Sequence, residues 1–339
     1  MTVLSTPTSV APPDPIAGTG VGFRRWRGLD EIPGMAAANN QLRERCGILE
    51  LIDVPGMVHR YTHLVHSDPR EDCIVIEQNG VTAGYARMAW HDLADGDRLY
   101  DATLLVAPAI WGTGAAASAV AWLEARAAEV AAANPTRRRA FIGHYLFGGD
   151  TESEAALGAT GYEACRWEAE LLRPDLEDIG PELVPDGYEI RTPTVEELPA
   201  VFAMYVAGFR EHWGQYEDGE QRIEEYVDSP HFRRELEVVV FNGADPASAV
   251  SNQLEPQPDG SIRGLLDAVA THPDHRRLGL ARAAINHSLR LLRDHGAANA
   301  YLGVDTGNHN RAMELYQSCG FRLASSGTNY RKPFSGGAS

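Results

Sequence analysis

The sequence predicts a mixed α/β chain in which one domain, a sheet with helices packed on it, occurs twice. Three observations support this prediction. The 339 residues suffice for about two domains of ordinary size, each with its own core. Sequence landmarks recur at a nearly constant spacing, and the two halves share one order of strand-like and helix-like segments.

The repeat is visible at glycine and proline landmarks. The matched pairs are Gly22 and Gly187, Pro108 and Pro273, Gly114 and Gly279, each 165 residues apart, and Gly161 and Gly320, 159 residues apart. A short difference in one loop explains the smaller offset. Such self-similarity indicates two copies of one domain.

The domain bounds follow from this repeat. Residues 1–20 are rich in Pro, Ser and Thr, without a basic start or a long apolar core, which predicts a disordered tail rather than a signal peptide. Residues 21–178 form the predicted N-terminal domain and residues 182–334 the C-terminal one. The stretch RPDLEDIGPELVPDG, rich in Pro and acidic residues, reads as the linker between them.

Within the C-terminal copy, residues 236–242 and 264–271 have the β-branched, apolar character of strands. After Pro273, apolar residues recur at helical spacing until Gly296; they are Ile285, Leu289 and Leu292. A further strand, NAYLGVDT, and a short helix with Ala312 and Leu315 directed inward follow. The N-terminal copy shows the same order, with its helical face formed by Val120, Leu123, Ala127 and Val130.

Charge and composition exclude several classes of protein. The formal net charge of −17 argues against general nucleic-acid binding, which depends on Lys and Arg. The four cysteines show no C-x-x-C spacing, so neither a zinc site nor a disulfide scaffold is expected, and a reducing cytoplasm fits best. No apolar run approaches the length of a membrane span.

The stretch HPDHRRLGLARA places arginines and a glycine where a strand gives way to a helix. Helix N-termini carry unpaired N–H groups and the positive end of the helix dipole, so this turn is suited to hold an anion. Neither G-x-x-x-x-G-K-[ST] nor G-x-G-x-x-G is present, which excludes two familiar phosphate loops.

The turn RRLGLA has the pattern R-x-x-G-x-A, and NHNRAMELYQSCGF follows one helix and one strand later. Together they resemble the pyrophosphate loop and the second characteristic segment of the GNAT superfamily of N-acetyltransferases. The tandem arrangement and the stretch GFREHWG resemble the two-domain members that include mycothiol synthase. The resemblance implies an α+β fold of two GNAT-like domains, each with a mixed, mostly antiparallel sheet flanked by helices.

The resemblance also implies that the C-terminal copy holds acetyl-CoA as the acyl donor, largely through backbone N–H groups. It assigns the cofactor contacts to Val269, Ala270, Thr271, Arg276, Arg277, Leu278, Gly279, Leu280, Ala281 and Asn308. In the family, the strand beside this turn separates from its neighbour, and a free N–H group there polarises the thioester carbonyl.

Tyr316 matches the family tyrosine that protonates the departing CoA thiolate, a general-acid role open to a phenol. An amine acceptor must lose a proton, and Asp267 is the first candidate base. The stretch containing Glu211, His212 and Trp213 is expected on the acceptor side. The sequence does not decide among these bases, and Trp213 is equally well explained as a packing residue.

The N-terminal copy keeps the glycine turn and forms a possible second cofactor site. Its residues are Leu104, Leu105, Val106, Trp111, Gly112, Thr113, Gly114, Ala115 and Ala116. Trp111 replaces Arg276, and Leu157 stands where the other copy has Tyr316, so this copy is predicted to be catalytically silent. A second CoA site and a purely structural half are equally compatible with these residues.

The sequence therefore predicts a cytoplasmic, acyl-CoA-dependent N-acetyltransferase that acts on a primary amine of a small molecule by direct attack. No nucleic-acid, membrane or metal partner is expected, and the oligomeric state stays open. The alternative is a non-catalytic acyl-CoA-binding or regulatory protein of the same fold.

Overall fold

The computed structural model describes residues 9–217, 227–307 and 312–335. Contacts divide the chain into two compact units, an N-terminal unit of Met1–Trp167 with Gly327–Ser339 and a C-terminal unit of Glu168–Ser326. Each unit combines a mostly antiparallel sheet with helices, which confirms the predicted fold class.

The sheet of the N-terminal unit has the strand order β1-β2-β3-β4-β5-β12. Its strands are β1 (Val21–Arg25), β2 (Cys73–Gln78), β3 (Val81–Asp92), β4 (Arg98–Val106), β5 (Ala140–Phe147) and residues 327–333 of β12 (Arg322–Pro333). Neighbours pair antiparallel except β4 and β5, which are parallel. A parallel pair requires a crossover, and a long helix supplies it here.

That crossover helix is α4 (Ala115–Ala133), and its predicted inner face, Val120, Leu123, Ala127 and Val130, is buried. The other helices of the unit are α1 (Ile32–Cys46), α2 (Val54–Thr62), α3 (Pro69–Asp72) and α5 (Thr151–Ala159). Apolar side chains of α4 and of strands β2 to β5 form one continuous core.

The sheet of the C-terminal unit has the order β6-β11-β10-β9-β8-β7. Its strands are residues 168–173 of β6 (Glu163–Arg173), then β7 (Tyr188–Arg191), β8 (Val238–Asn242), β9 (Asp245–Pro256), β10 (Ile262–Thr271) and β11 (Asn299–Asp305). Only β10 and β11 are parallel among these pairs. They occupy the same place in this unit as β4 and β5 in the other.

Three described helices accompany this sheet: α6 (Leu198–Phe209), α7 (Leu280–Asp294) and α8 (Ala312–Ser318). The predicted inner face of α7, Ile285, Leu289 and Leu292, is fully buried. Ala312 and Leu315 of α8, predicted to point inward, are partly buried against the same core. Both also line a cavity.

The pairing of two strands decides where the units begin and end. Residues 168–173 of β6 pair with β11, and residues 327–333 of β12 pair with β5. Each segment therefore joins the unit that contains its pairing partner, not the half of the sequence in which it lies. The bounds predicted from the sequence, 21–178 and 182–334, place each of these two segments in the other unit.

The described part of the predicted tail, residues 9–20, makes specific contacts. The Val10 N–H donates to Glu129 Oε2 at 2.9 Å, and the Trp122 indole donates to the Val10 carbonyl at 3.3 Å. Ile16 forms a bridge with Val21 at the start of β1. These residues are therefore ordered against the N-terminal unit, contrary to the expectation of disorder for this stretch.

Candidate functional site

Strands β10 and β11 separate in the C-terminal unit. They pair in parallel only between residues 263–265 and 299–301, although β10 continues to Thr271 and β11 to Asp305. The pairing of β10 with β9 is also irregular between Leu266 and Ala268, where Asp267 is the extra residue of a β-bulge. A cleft therefore opens beside the C-terminal half of β10, as the family resemblance implies.

The turn after β10 leads directly into α7. Arg277 and Gly279 in this turn have φ values of 67° and 81°, and left-handed residues of this kind direct successive N–H groups toward one side. Gly279 precedes α7 without a side-chain cap, and a Cβ built on it would meet nothing within 4 Å. The turn thus presents backbone donors to open space at a helix N-terminus.

A cavity of about 680 Å³ joins this turn to the cleft. Of the predicted site residues, those that line it are Glu211, His212, Asp267, Val269, Ala270, Thr271, Arg276, Arg277, Gly279, Leu280, Ala281 and Tyr316. Leu278, with 44% of its surface exposed, and Trp213 are absent from this lining. Asn308 lies outside the described residues.

The arginines of the turn have different partners. Arg276 donates to Glu211 Oε2 at 2.7 Å and to the Gly208 carbonyl at 3.2 Å, so its side chain ties the turn to the end of α6. Arg277 and Arg282 are exposed, and neither forms a salt bridge with a described residue. Among the described arginines that line the cavity, Arg277 and Arg282 are therefore the ones available to a phosphate.

The same contact determines the state of Glu211. Its hydrogen bond with the Arg276 guanidinium lowers the pKa of the Glu211 carboxyl. A carboxylate stabilised in this way is a weaker proton acceptor than a free one. Glu211, expected on the acceptor side, thus lies against the turn and is less suited to act as a base.

Tyr316 lines the cavity from α8 and is only 7% exposed. Burial raises the pKa of its phenol well above the usual range, so the hydroxyl keeps its proton at neutral pH. Within the described residues this hydroxyl has no hydrogen-bond partner. The proton is therefore available to a ligand in the cavity.

Asp267 and His212 are the predicted site residues in the cavity best suited to accept a proton from an amine. Asp267 is exposed on the bulge of β10. His212 lies just beyond α6, with its Nε2 3.9 Å from Asp305 Oδ2 at the end of β11. The structure thus brings a carboxylate and a histidine–aspartate pair into the same cavity.

Several lining residues were not identified by the sequence analysis. They are His275, Arg282, Gly303, Asp305 and Glu314. Arg282 could have been found, because it follows the glycine turn within the first turn of the helix. Asp305 also had a signal, as the acidic residue that ends a predicted strand. The other three depend on how distant elements pack.

The N-terminal unit repeats the backbone of this turn. Gly112 and Gly114 have φ values of 74° and 90°, and α4 begins directly afterwards. β4 and β5 also pair only near their beginnings, between residues 98–101 and 140–143. The possible second cofactor site therefore has the required main-chain shape.

In the N-terminal unit, however, polar groups of this turn already form hydrogen bonds within the protein. The Gly112 N–H donates to Glu152 Oε2 at 3.0 Å, and the Trp111 indole donates to the Val106 carbonyl at 3.1 Å. Thr113 donates its hydroxyl proton to the Ile110 carbonyl at 2.6 Å. The remaining predicted residues, Leu104, Leu105, Val106, Ala115 and Ala116, are all buried.

Several positions beyond the turn also carry different residues in this unit. The strand pairs Arg98–Ala140 and Arg263–Asn299 occupy matching positions, so His144 corresponds to Gly303. His144 is buried, whereas a Cβ on Gly303 would meet nothing within 4 Å. By the same correspondence, buried Leu146 replaces Asp305 and buried Leu157 replaces Tyr316.

The fold, the separated parallel pair and the glycine turn define an acyltransferase architecture that occurs twice. The model of the acetyltransferase (GNAT) family matches residues 40–136 and 198–321, one segment in each half and together more than half of the chain. The chain belongs to this family, whose fold binds acyl-CoA and transfers acyl groups. No curated protein sequence matches it.

Solved structures share the tandem fold. A GCN5-related N-acetyltransferase from Sphaerobacter thermophilus has 17% identity and a TM-score of 0.71, covering 94% of this chain and 97% of that one. A tandem GNAT protein of the clavulanic acid biosynthesis pathway has 16% identity and a TM-score of 0.64, covering 94% and 99%. These identities support the fold alone.

A conserved protein from Enterococcus faecalis V583, described as a probable N-acyltransferase, has 11% identity and a TM-score of 0.53, covering 94% of this chain and 74% of that one.

In the described part of this chain, no helix combines the length and the hydropathy needed to cross a membrane.

Proposed function

We propose that the C-terminal unit transfers an acetyl group from acetyl-CoA to a primary amine of a small molecule, by direct attack of the amine. One observation carries this proposal: a single cavity contains both the open glycine turn and the buried, protonated hydroxyl of Tyr316. An anion cradle alone would support only binding, whereas the added proton donor supports turnover.

The residues present fit a CoA ester. The N–H groups around Gly279 and the exposed guanidinium groups of Arg277 and Arg282 suit the phosphates. Val269, Ala270 and Thr271 lie along the cleft edge of β10, where main-chain groups can bind the amides of the pantetheine arm. Leu278 and Asn308 stay predicted contacts without further support from the cavity lining.

Acetyl-CoA supplies the acyl group as a thioester. Tyr316 donates a hydrogen bond to the sulfur as the carbon–sulfur bond breaks, which stabilises the thiolate that forms. A thioester sulfur is a very weak base and becomes basic only as the carbon–sulfur bond breaks. The proton therefore moves to the sulfur together with its departure.

Direct attack requires no covalent nucleophile on the enzyme, and the cysteines are consistent with this. Cys319 is buried three residues after Tyr316, and burial raises the pKa of its thiol, which keeps it from forming a nucleophilic thiolate. The four cysteines are unpaired, which supports our proposal of a cytoplasmic protein.

We also propose that the N-terminal unit holds no cofactor. The Glu152 carboxylate accepts from the N–H group that a phosphate would use, and the buried His144 stands at the position that matches Gly303. The unit then serves as a structural partner that retains the backbone of an acyl-CoA site.

The experiment is an assay of free CoA thiol released from acetyl-CoA by the purified full-length chain, with a panel of amines of different classes. The panel includes polyamines, aminoglycosides, amino-sugar compounds and peptide N-termini. We expect thiol release that depends on one amine class, with a matching acetylated product by mass spectrometry. Acetyl-CoA binding without turnover for every class would favour the alternative, a non-catalytic acyl-CoA-binding module.

A further inference from the structure

We propose that His212, positioned by Asp305, is the group that takes the proton from the acceptor ammonium. This inference rests on the proposed acetyl transfer and assigns the base that the sequence left open. It gives Asp267 a different role, as the carboxylate that attracts the cationic acceptor into the cavity.

The tautomer of His212 follows from its neighbours. Its Nδ1 lies 3.2 Å from the Trp213 carbonyl oxygen, and because a carbonyl can only accept, Nδ1 must carry a proton. In the neutral imidazole the lone pair is therefore on Nε2. That lone pair lies on the side of Asp305, whose Oδ2 is 3.9 Å away.

Asp305 is held in this orientation at the end of β11. The Gly307 N–H donates to its Oδ1 at 2.9 Å, which leaves Oδ2 as the oxygen nearest to His212. The residue is only 7% exposed, so its charge is poorly screened by solvent. Asp305 therefore acts as a positioning residue that stabilises an imidazolium at His212.

The separation of Nε2 and Oδ2 suits a shared donor. At 3.9 Å the two acceptors are too far apart for a direct hydrogen bond, but one nitrogen about 2.8 Å from both would subtend roughly 90°. An ammonium group, with three donors, can meet this geometry, either itself or through one water. The pair thus recognises the acceptor in the protonation state that predominates at neutral pH.

The proton balance is complete with groups already named. His212 Nε2 takes one proton from the ammonium, which frees the nitrogen lone pair to form the bond to the acyl carbon. The carbon–sulfur electron pair leaves with the sulfur, which receives the Tyr316 proton, and the second nitrogen proton restores the phenol. His212 finally releases its proton to water.

Other charged groups share the cavity and must be separated from His212 in any test. They are Glu211 at the end of α6, Asp267 on β10, His275, Arg276 and Arg277 in the turn, Arg282 on α7 and Glu314 on α8. Glu211 and Arg276 are paired with each other. Phe209 contacts the ring of His212 edge-on, with centroids 5.8 Å apart, and contributes no charge.

The test uses the full-length chain and combines two measurements. The first is the pH dependence of kcat with the best amine. We expect an acidic limb in the wild type that disappears in His212→Gln, with a loss of roughly 100-fold in kcat and an unchanged dissociation constant for acetyl-CoA. Asp305→Asn should keep this acidic limb and lower kcat less than His212→Gln does, because the base is retained but loses its positioning carboxylate.

The second measurement needs no turnover: the histidine resonances of the protein are followed by NMR as the best amine is added, with His212 assigned from the His212→Gln spectrum. The His212 resonance should respond to the amine in the wild type and respond less in Asp305→Asn, which lacks the carboxylate 3.9 Å from Nε2. His295→Gln is the matched control, because the Nδ1 of His295 is also bonded to a backbone carbonyl, at 2.8 Å, but outside the cavity; we expect it to change neither profile.

Two results would overturn the inference. In one, the acidic limb of the kcat–pH profile survives unchanged in His212→Gln; in the other, that limb is lost in Asp267→Asn instead. Either result leaves the acetyl transfer itself intact. Failure of the proposed function differs, because the wild type would then acetylate no amine at all.

Discussion

The turn around Gly279 and the turn around Gly114 have nearly the same backbone but different surroundings. Both glycines adopt a left-handed conformation, with φ values of 81° and 90°, and both precede a long helix. In the C-terminal unit the turn borders a cavity. In the N-terminal unit, Glu152 accepts a hydrogen bond from the Gly112 N–H, and the buried His144 stands at the position that matches Gly303.

This difference shows that backbone shape and binding capacity are separable. Main-chain geometry is fixed by the strand, the turn and the helix, all of which the fold itself requires. The capacity to bind a ligand depends on a few positions near the turn. The C-terminal unit has Gly303 at one of them, with open space around it, whereas the N-terminal unit has the larger, buried His144 there and Leu157 in place of Tyr316. A duplicated domain can therefore keep the first property after losing the second.

The largest expected effect comes from Gly279→Asp. A carboxylate at this position would repel the phosphates and cover the N–H groups of the turn. Loss of two hydrogen bonds to a charged group, at about 1.5–3 kcal/mol each, corresponds to roughly 1000-fold weaker acetyl-CoA binding. Equilibrium dialysis measures the dissociation constant, and circular dichroism checks that the variant is folded.

Gly114→Asp is the matched control for this variant. Both glycines have positive φ, and a Cβ on either would meet nothing within 4 Å, so the backbone strain is comparable. We expect acetyl-CoA binding and turnover to stay within about 3-fold of the wild type. An equal loss of acetyl-CoA binding in both variants would mean that the substitutions disturb the fold, or that the acetyl-CoA site does not lie in the C-terminal unit.

The next effect concerns Tyr316, whose counterpart in the N-terminal unit is Leu157. Tyr316→Phe removes one oxygen and little packing, so kcat should fall by roughly 100-fold while the dissociation constant for acetyl-CoA changes little. This pattern marks an interaction made mainly in the transition state. A fall in binding as large as the fall in kcat would instead indicate a packing role.

A third prediction concerns stability and separates the units by pH. Burial lowers the pKa of His144 to about 3, whereas in the unfolded chain it is about 6.5. Between these values only the unfolded state binds the proton, so the free energy of unfolding should fall as the pH is lowered, by about 2 kcal/mol from pH 7 to pH 5.

Urea unfolding followed by tryptophan fluorescence tests this dependence, since Trp111 and Trp122 belong to the N-terminal unit. The variant His144→Phe should lose most of the pH dependence, whatever its absolute stability. If the free energy of unfolding changed equally between pH 5 and pH 7 in the wild type and in His144→Phe, then His144 would not titrate as described.

The smallest effect is expected from Glu211→Gln. The variant weakens the 2.7 Å contact that holds Arg276 against the end of α6. Because exposed ion pairs contribute little, acetyl-CoA should bind at most about 3-fold more tightly, as Arg276 becomes available to the phosphates. A loss of affinity would mean that the pair shapes the turn instead of competing with the cofactor.

Much of the fold could be predicted from the sequence, because local signals determine it. The helical spacing of Ile285, Leu289 and Leu292 gave the buried face of α7, and the matched glycines gave the repeat. The strand assignments at the unit boundary could not be obtained this way. They depend on the pairing of β12 with β5, whose partners lie about 180 to 190 residues apart in sequence.

The candidate site likewise has features that the sequence could reveal and features that only the folded structure shows. The turn and Tyr316 could be found from sequence, since each belongs to a short motif with a physical reason for its residues. The pairs Arg276–Glu211 and His212–Asp305 join different elements, and tertiary packing alone brings them together. The filling of the N-terminal turn by Glu152 had no local signal, because the carboxylate lies 40 positions from Gly112.

The most direct test of the central difference between the two turns is the number of acetyl-CoA molecules bound per chain, measured by calorimetric titration without an amine. We expect one site in the wild type, one in Gly114→Asp and none in Gly279→Asp over the same concentration range. Two sites in the wild type, with one of them lost in Gly114→Asp, would contradict the account.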